Sequence, residues 1–364
     1  MVDAVATVLL TGASMHAVKT ANAVWPDLRR GCAWDFPPRS LVPPPRSKFL
    51  SAHPLEVMKI ISALLVGLSL TLAAASHGAE AQKATKSKNG PNWKKVLPKT
   101  PEGFTCTTNL VAAYPEHNVE LVIYSPDKPG SYPCVLDIHG GGWTTRQVES
   151  DRPMMELLAA RGFVTALVSY RLAQEAKYPA ALHDCKSALR WLRANSKKFK
   201  IDPDRIGCMG GSAGGHLSGL TAMTSGLKEF EGNGPYPEQS SAVKACIVMA
   251  ATQDLFTANT GKAGTNTVLF FGAKCDDNPA IYREASPITH VRPGVPPTIF
   301  IEGEKDSLKI GRAEMQEKLR ALGIETSVHT LKDAPHPFWM SQPWCDQTVA
   351  IAAEFFTRTL GKRP

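Results

Sequence analysis

Between Val119 and Leu360 short apolar runs alternate with amphipathic ones. The runs Val119–Tyr124, Cys134–Ile138, Phe163–Val168, Ile206–Met209, Ala245–Ala250, Thr298–Glu302 and Thr326–Leu331 have the length and flanking turn residues of strands. Between them the pattern predicts helices over Met154–Arg161, Ala180–Ser196, His216–Thr224, Arg312–Leu322 and Gln347–Leu360. In the second of these Ala181, Cys185, Ala188, Leu189 and Leu192 share one face. Strand and helix in turn predict an α/β domain, a mainly parallel twisted sheet with helices on both faces. Two stretches rich in Gly, Pro and Asn, Ser225–Ser241 and Gln253–Pro297, break the alternation. They are expected to form loops or a small loop-and-helix cap above the carboxyl edge of the sheet, where such folds hold ligands.

Upstream the text differs in kind. After Met58, Lys59 forms a small positive region, Ile60 to Ala75 is apolar, and Ala79-Glu80-Ala81 offers small residues for cleavage. Residues 58–81 therefore read as a secretory signal peptide. The rival reading is a membrane anchor, for which the apolar run is short. On this reading residues 1–57, Pro-rich and aperiodic, are a non-native N-terminal extension, 82–99 a polar Lys-rich linker and 100–364 the catalytic domain. Contact with a membrane is expected only during export.

The formal charge of +8 is spread thinly along 364 residues. No basic stripe or nucleic-acid motif accompanies it, which argues against a nucleic-acid partner. Cys134, Cys208 and Cys246 fall in strand runs and read as small buried thiols. Cys275 and Cys345 fall in loops, where an oxidising compartment permits a bridge between them. No Cys or His spacing points to a metal.

Candidate chemistry begins with Gly210-Gly211-Ser212-Ala213-Gly214-Gly215, between a strand run and a helix run. A serine hydroxyl attacks a carbonyl only when it is exposed on a tight turn beside a base, and glycines leave room for that turn. Gly210 and Gly214 are the flanking glycines. Directly after Cys134–Ile138 comes His139-Gly140-Gly141-Gly142-Trp143, whose glycines let backbone amides approach a developing oxyanion. Gly141, Gly142 and Ala213 are the expected donors, with His139 and Gly140 shaping the loop. His336, just past the last strand run, is the expected base, and Asp306, after Thr298–Glu302, its carboxylate partner. Glu304 and Asp254 remain rivals for the acid. Asp137, inside an apolar strand, has no evident partner in the sequence.

These motifs resemble the α/β-hydrolases of the His-Gly-Gly-Gly esterase/lipase group, and among them bacterial feruloyl-esterase-like and acetylxylan-esterase-like enzymes. The resemblance also rests on Ser169-Tyr170-Arg171-Leu172, Tyr178-Pro179-Ala180, Asp202-Pro203-Asp204-Arg205-Ile206-Gly207 and Ala285-Ser286-Pro287. It implies a serine carboxylesterase needing no cofactor; together with the export to the periplasm or beyond that residues 58–81 suggest, it favours cleavage of short acetyl or feruloyl-type esters of a small molecule or polysaccharide, on plant or algal glycans. Trp143, Phe338 and Trp339, with Trp344, are candidates for contact with sugar or aromatic rings. Two departures from the lipase pattern are Gly211, where relatives commonly carry Asp, and Gln174, where Pro is usual. The alternatives are a lipase or peptidase of the same fold, or a non-catalytic binding protein. Oligomeric state is open.

Overall fold

All seven apolar runs become strands of one eight-stranded sheet. The computed structural model describes residues 99–262 and 264–361. The expected extension, the signal segment and all but the last residue of the linker lie outside the described residues. The strands are β1 (Phe104–Ala113), β2 (Asn118–Pro126), β3 (Tyr132–Ile138), β4 (Val164–Ser169), β5 (Ile201–Gly211), β6 (Cys246–Met249), β7 (Thr298–Gly303) and β8 (Val328–Leu331). They lie in the order β1-β2-β4-β3-β5-β6-β7-β8. β2 runs antiparallel to both β1 and β4, and the remaining pairs are parallel. This is the α/β-hydrolase fold. The sequence pattern misses β1, because a strand with one neighbour keeps most side chains wet; of its residues only Val111 is fully buried.

The helices are α1 (Val148–Ala159), α2 (Ala180–Ala194), α3 (Ser196–Phe199), α4 (Ala213–Met223), α5 (Leu255–Asn259), α6 (Thr265–Phe271), α7 (Pro279–Glu284), α8 (Arg312–Ala321) and α9 (Trp344–Leu360). Side chains alternate between the two faces of a strand. Leu136 and Ile138 accordingly join a core with α2, α4 and α8, while Val135 joins a second core with α1 and α9. Burial on both faces is why β3 and β4 read as continuous apolar runs rather than alternating ones. Each fully buried large aliphatic contributes about 1.5–3 kcal/mol.

The same division settles the cysteines. Cys275 lies in the first core and Cys345 in the second, with the sheet between them, so the bridge permitted by the sequence does not form. Cys134, Cys208 and Cys246 are buried free thiols.

From β3 the chain passes to β4 on one side and then to β5 on the other. Their carboxyl ends leave a crevice at this reversal. Gln253–Pro297 forms the expected cap, carrying α5, α6 and α7. Ser225–Ser241 does not join it. That segment packs on α2, where the Glu231 carboxylate receives Lys186 at 3.0 Å and Arg190 at 2.9 Å, buried cations that would otherwise lack a counter-charge. No helix among the described residues is long and apolar enough to cross a membrane.

Candidate active site

Ser212 joins β5 to α4 at φ 57° and ψ −123°, a region that residues with a Cβ rarely adopt. Such backbone strain costs about 1–3 kcal/mol and persists only where its surroundings enforce it. Here the Ser212 amide donates to the Met249 carbonyl at 2.9 Å, and the Ser212 carbonyl accepts from the His216 amide at 3.0 Å. A Cβ at either Gly210 or Gly214 would overlap the Ile138 carbonyl oxygen, so the turn can be this tight only with glycine at both positions. The helix follows at once, starting at Ala213 rather than at His216.

Three distant residues meet at this turn. Ser212 Oγ lies 3.1 Å from His336 Nε2. His336 Nδ1 lies 2.7 Å from Asp306 Oδ2, and the Leu308 amide donates to Asp306 Oδ1 at 2.8 Å. Burial opposes ionisation of Asp306, but the His336 and Leu308 hydrogen bonds outweigh it and hold the carboxyl below its usual range. The rivals are engaged elsewhere. Asp254 caps α5, accepting from the Thr257 amide at 2.9 Å, and the exposed Glu304 accepts from the Asp333 amide at 2.9 Å.

His139 begins the glycine loop and is buried. Its ring stacks on Tyr170 with centroids 4.2 Å apart, and Tyr170 Oη donates to the His139 carbonyl at 3.0 Å. Burial pushes its imidazole down to about 4, so it is neutral and acts as a strut. His139 Nδ1 lies 2.7 Å from the Gly140 carbonyl oxygen. The Gly141 carbonyl accepts from the Thr144 and Thr145 amides at 3.1 and 3.0 Å, closing a tight turn. No acceptor among the described residues takes the Gly141 or Gly142 amide. The Ala213 amide, first in α4, likewise has no partner within its helix. Gly142 and Ala213 border the same cleft as Ser212; Gly141 stands one residue behind its wall. Gln174, one of the two departures, braces this loop, its Nε2 donating to the Thr144 carbonyl at 3.0 Å.

The aromatic candidates divide. Trp143 borders the cleft. Phe338, Trp339 and Trp344 do not contact ligand space: each is buried in the second core, so their expected role in substrate stacking is corrected to packing. Trp339 lies under the elbow, where a Cβ at Gly211 would penetrate its ring. That contact accounts for Gly211, the other departure. Trp339 also meets the His336 ring edge-on, centroids 5.5 Å apart, and its Nε1 donates to Asp151 Oδ1 at 2.9 Å. Asp151 reaches this point because α1 starts six residues before its expected beginning and runs through Pro153.

Asp151 and Asp137 are fully buried carboxyls whose charges interact. Neither oxygen of Asp137 has a partner among the described residues, and burial together with the nearby Asp151 raises its pKa well above the usual range. Burial raises that of Asp151 as well, against the hydrogen bonds from Trp339 and Gly140. A carboxyl raised in the folded state keeps its proton where the unfolded chain has lost it. Its stabilising effect is complete below the ordinary carboxyl pKa of about 4 and is lost as pH rises through the folded value. Asp151→Asn, which keeps an acceptor for Trp339, should flatten the fall of stability between about pH 5 and about pH 8. Urea midpoints at the two pH values measure this. An unchanged slope would assign the effect to other groups.

The cleft has a volume of about 400 Å³. Trp143, His216, Ala251, Leu255 and Ala258 form its apolar part, while Asn266, Thr267, Asn259 and Thr252 supply polar groups and Leu308 and Ile310 an exposed apolar edge. His216 Nε2 meets the Ala285 carbonyl at 2.7 Å, and burial pushes its imidazole down to about 4. Ser286 accepts from the Leu255 amide at 2.9 Å and donates to the Tyr282 carbonyl at 2.7 Å, so the Ala285-Ser286-Pro287 motif ties the cap to α4. Sequence reasoning missed His216, Asn266, Leu308 and Ile310 as cleft residues, since no local pattern marks them. Among the described residues no cluster of three or more His, Cys, Asp or Glu is placed to hold a metal.

A family model described as BD-FAE matches residues 121–314, just over half of the chain. The chain belongs to the BD-FAE family. The BD-FAE match takes in the glycine loop, the elbow and Asp306, and stops short of His336. Among curated proteins the chain is similar to a probable carboxylic ester hydrolase, LipM, of Mycobacterium tuberculosis, 31% identical over 50% of this chain and 43% of the relative. The chain spans about half the length of the curated relatives it matches. Among solved structures, a thermophilic esterase from the Planctomycetes species Thermogutta terrifontis is 26% identical with a TM-score of 0.59, covering 72% of this chain and 95% of its own. A bifunctional GH43-CE protein from Bacteroides eggerthii is 30% identical with a TM-score of 0.59, covering 66% of this chain and 36% of its own.

Proposed function

We propose that this BD-FAE protein is an exported serine carboxylesterase that hydrolyses short-acyl esters, of acetyl or feruloyl type, on plant or algal polysaccharides. The observation that carries the reading is the hydrogen-bonded series Ser212–His336–Asp306 at the mouth of a cleft bordered by free backbone amides. His336 Nε2 takes the Ser212 proton as Oγ attacks the ester carbonyl, and Asp306 holds the ring with Nδ1–H toward itself and stabilises the imidazolium. The amides of Gly142 and Ala213, with Gly141 behind them, receive the oxyanion, each donor worth about 3–4 kcal/mol. His336 then protonates the departing alkoxide, and water repeats the sequence on the acyl-enzyme.

Support for a short acyl group comes from the cleft, whose cap among the described residues is built from helices of five to seven residues over a cavity of about 400 Å³. The Thermogutta terrifontis esterase has been solved with propionate bound. Export rests on the signal-like text of residues 58–81. The purified protein is expected to hydrolyse p-nitrophenyl acetate with a kcat/KM at least about tenfold above that for the palmitate ester, because a palmitoyl chain does not fit the short cleft and must clash with the cap or lie misplaced at the reacting carbonyl. A preference for palmitate would exclude the short-acyl reading.

A further inference from the structure

The cap helix α6 is locked to the glycine loop by two side chains one turn apart. Phe270, fully buried, stacks on Trp143 with centroids 4.9 Å apart at 15°. Residues i and i+4 of a helix share a face, so docking Phe270 on Trp143 carries Asn266 over the preceding residue, Gly142. The contact is close: a Cβ at Gly142 would collide with Asn266 Nδ2, so the carboxamide occupies the space that a side chain at 142 would need. Thr267 secures the same end of the helix through its hydroxyl, 2.9 Å from Asn259 Oδ1.

Thr267 and Asn259 are thus occupied with each other, and Asn259 Nδ2 donates to the Leu255 carbonyl at 2.8 Å. Asn266 is different. It is exposed, it borders the cleft, and its carboxamide makes no hydrogen bond with any described residue. The Thr252 hydroxyl, also on the cleft wall, likewise makes no hydrogen bond with any described residue. A positioned carboxamide beside the reacting centre, offering both N–H donors and a carbonyl acceptor to solvent, matches a hydroxyl group, which likewise donates and accepts. The buried lining residues Trp143, Ala251 and Leu255 make an apolar wall that suits the acyl group. That leaves the alcohol portion of the ester at the wet mouth where Asn266 stands.

We infer that Asn266 is a specificity-determining residue that hydrogen-bonds a hydroxyl on the alcohol portion of the substrate, selecting esters of polyhydroxylated alcohols such as sugars over esters of plain alcohols. The inference rests on the esterase reading above and assigns part of its substrate preference to one side chain. Discrimination of this kind is strongest where a site is built to hydrogen-bond a substrate hydroxyl. At an exposed rim, one neutral hydrogen bond corresponds to about a tenfold effect.

The test compares the wild-type protein with Asn266→Leu, which keeps the branched shape of the side chain and removes both hydrogen-bonding atoms. Two probes are used, a mono-O-acetylated methyl xylopyranoside and p-nitrophenyl acetate. The expected result is that kcat/KM for the xyloside divided by that for p-nitrophenyl acetate falls about tenfold in the variant, chiefly through KM. A ratio that stays within about twofold overturns the inference, including the case in which both rates fall together, which would place Asn266 at the reacting carbonyl or in the scaffold. Wild-type turnover of p-nitrophenyl acetate without turnover of the xyloside also overturns it. If the wild type cleaves neither ester, it is the esterase reading that fails.

Discussion

Ser212→Ala is expected to lower kcat for p-nitrophenyl acetate on the order of 10⁴-fold or more while the protein stays folded. Oγ is the only atom removed, and the group lost is the proposed nucleophile. In serine hydrolases members of the triad act as a unit, so losing the nucleophile costs nearly as much as losing the whole set. The remaining rate over water would come from the amides and the cleft. Ala keeps the hydrogen bond from the residue-212 amide to the Met249 carbonyl and the same strained φ, so the elbow has no reason to open. Steady-state rates and near-UV circular dichroism, measured together, separate chemistry from folding. Activity within about tenfold of wild type would remove Ser212 from the mechanism.

Asp306→Asn is expected to lower kcat by about 10³–10⁴-fold. The carboxylate accepts from His336 Nδ1 at 2.7 Å and from the Leu308 amide at 2.8 Å. An asparagine whose oxygen stays with Leu308 turns its NH₂ toward the ring. Nδ1 must then become the acceptor, which leaves the ring proton on Nε2, so Nε2 can no longer accept the proton of Ser212. The geometry around the hydroxyl is preserved and the tautomer is wrong. Asp254→Asn and Glu304→Gln are the comparison. Asp254 only caps α5, a role Asn fills as well as Asp, and Glu304 faces solvent over a backbone amide. Rates within about twofold of wild type are expected for both. A larger loss in Asp254→Asn than in Asp306→Asn would move the acid to the loop after β6.

Two features tie the chemistry to the rest of the fold. Strain at Ser212 is maintained by β6 and by the glycines packed on Ile138, so the proposed nucleophile is held by the sheet itself. Trp339, which a sequence reading places among substrate contacts, supports the elbow and the His336 ring from below and is anchored by Asp151 on α1. Buried carboxyls there carry a stability cost that grows with pH, which is the reason Asp151→Asn is informative.

Much of this was legible along the chain because the signals are local. A parallel strand buried on both faces must be mostly apolar where it is buried, which is why β3, β4, β6, β7 and the second half of β5 are visible as runs. A serine on a tight turn needs glycine neighbours, and a loop that offers amides needs several glycines, so the elbow and the His139–Trp143 segment are marked by composition alone. The order of strands then places Asp306 and His336 at the same edge as Ser212. Three things were decided only in three dimensions. The choice among Asp306, Glu304 and Asp254 depends on which carboxylate reaches an imidazole thirty residues away in the chain, and capping or solvent claims the other two. The fate of the aromatic residues depends on the side of the sheet each one meets, which a Trp carries no mark of. The lining of the cleft by His216, Asn266, Leu308 and Ile310 depends on how an irregular cap folds over the edge, since its short helices owe their positions to contacts such as Phe270 on Trp143 rather than to any periodicity of their own.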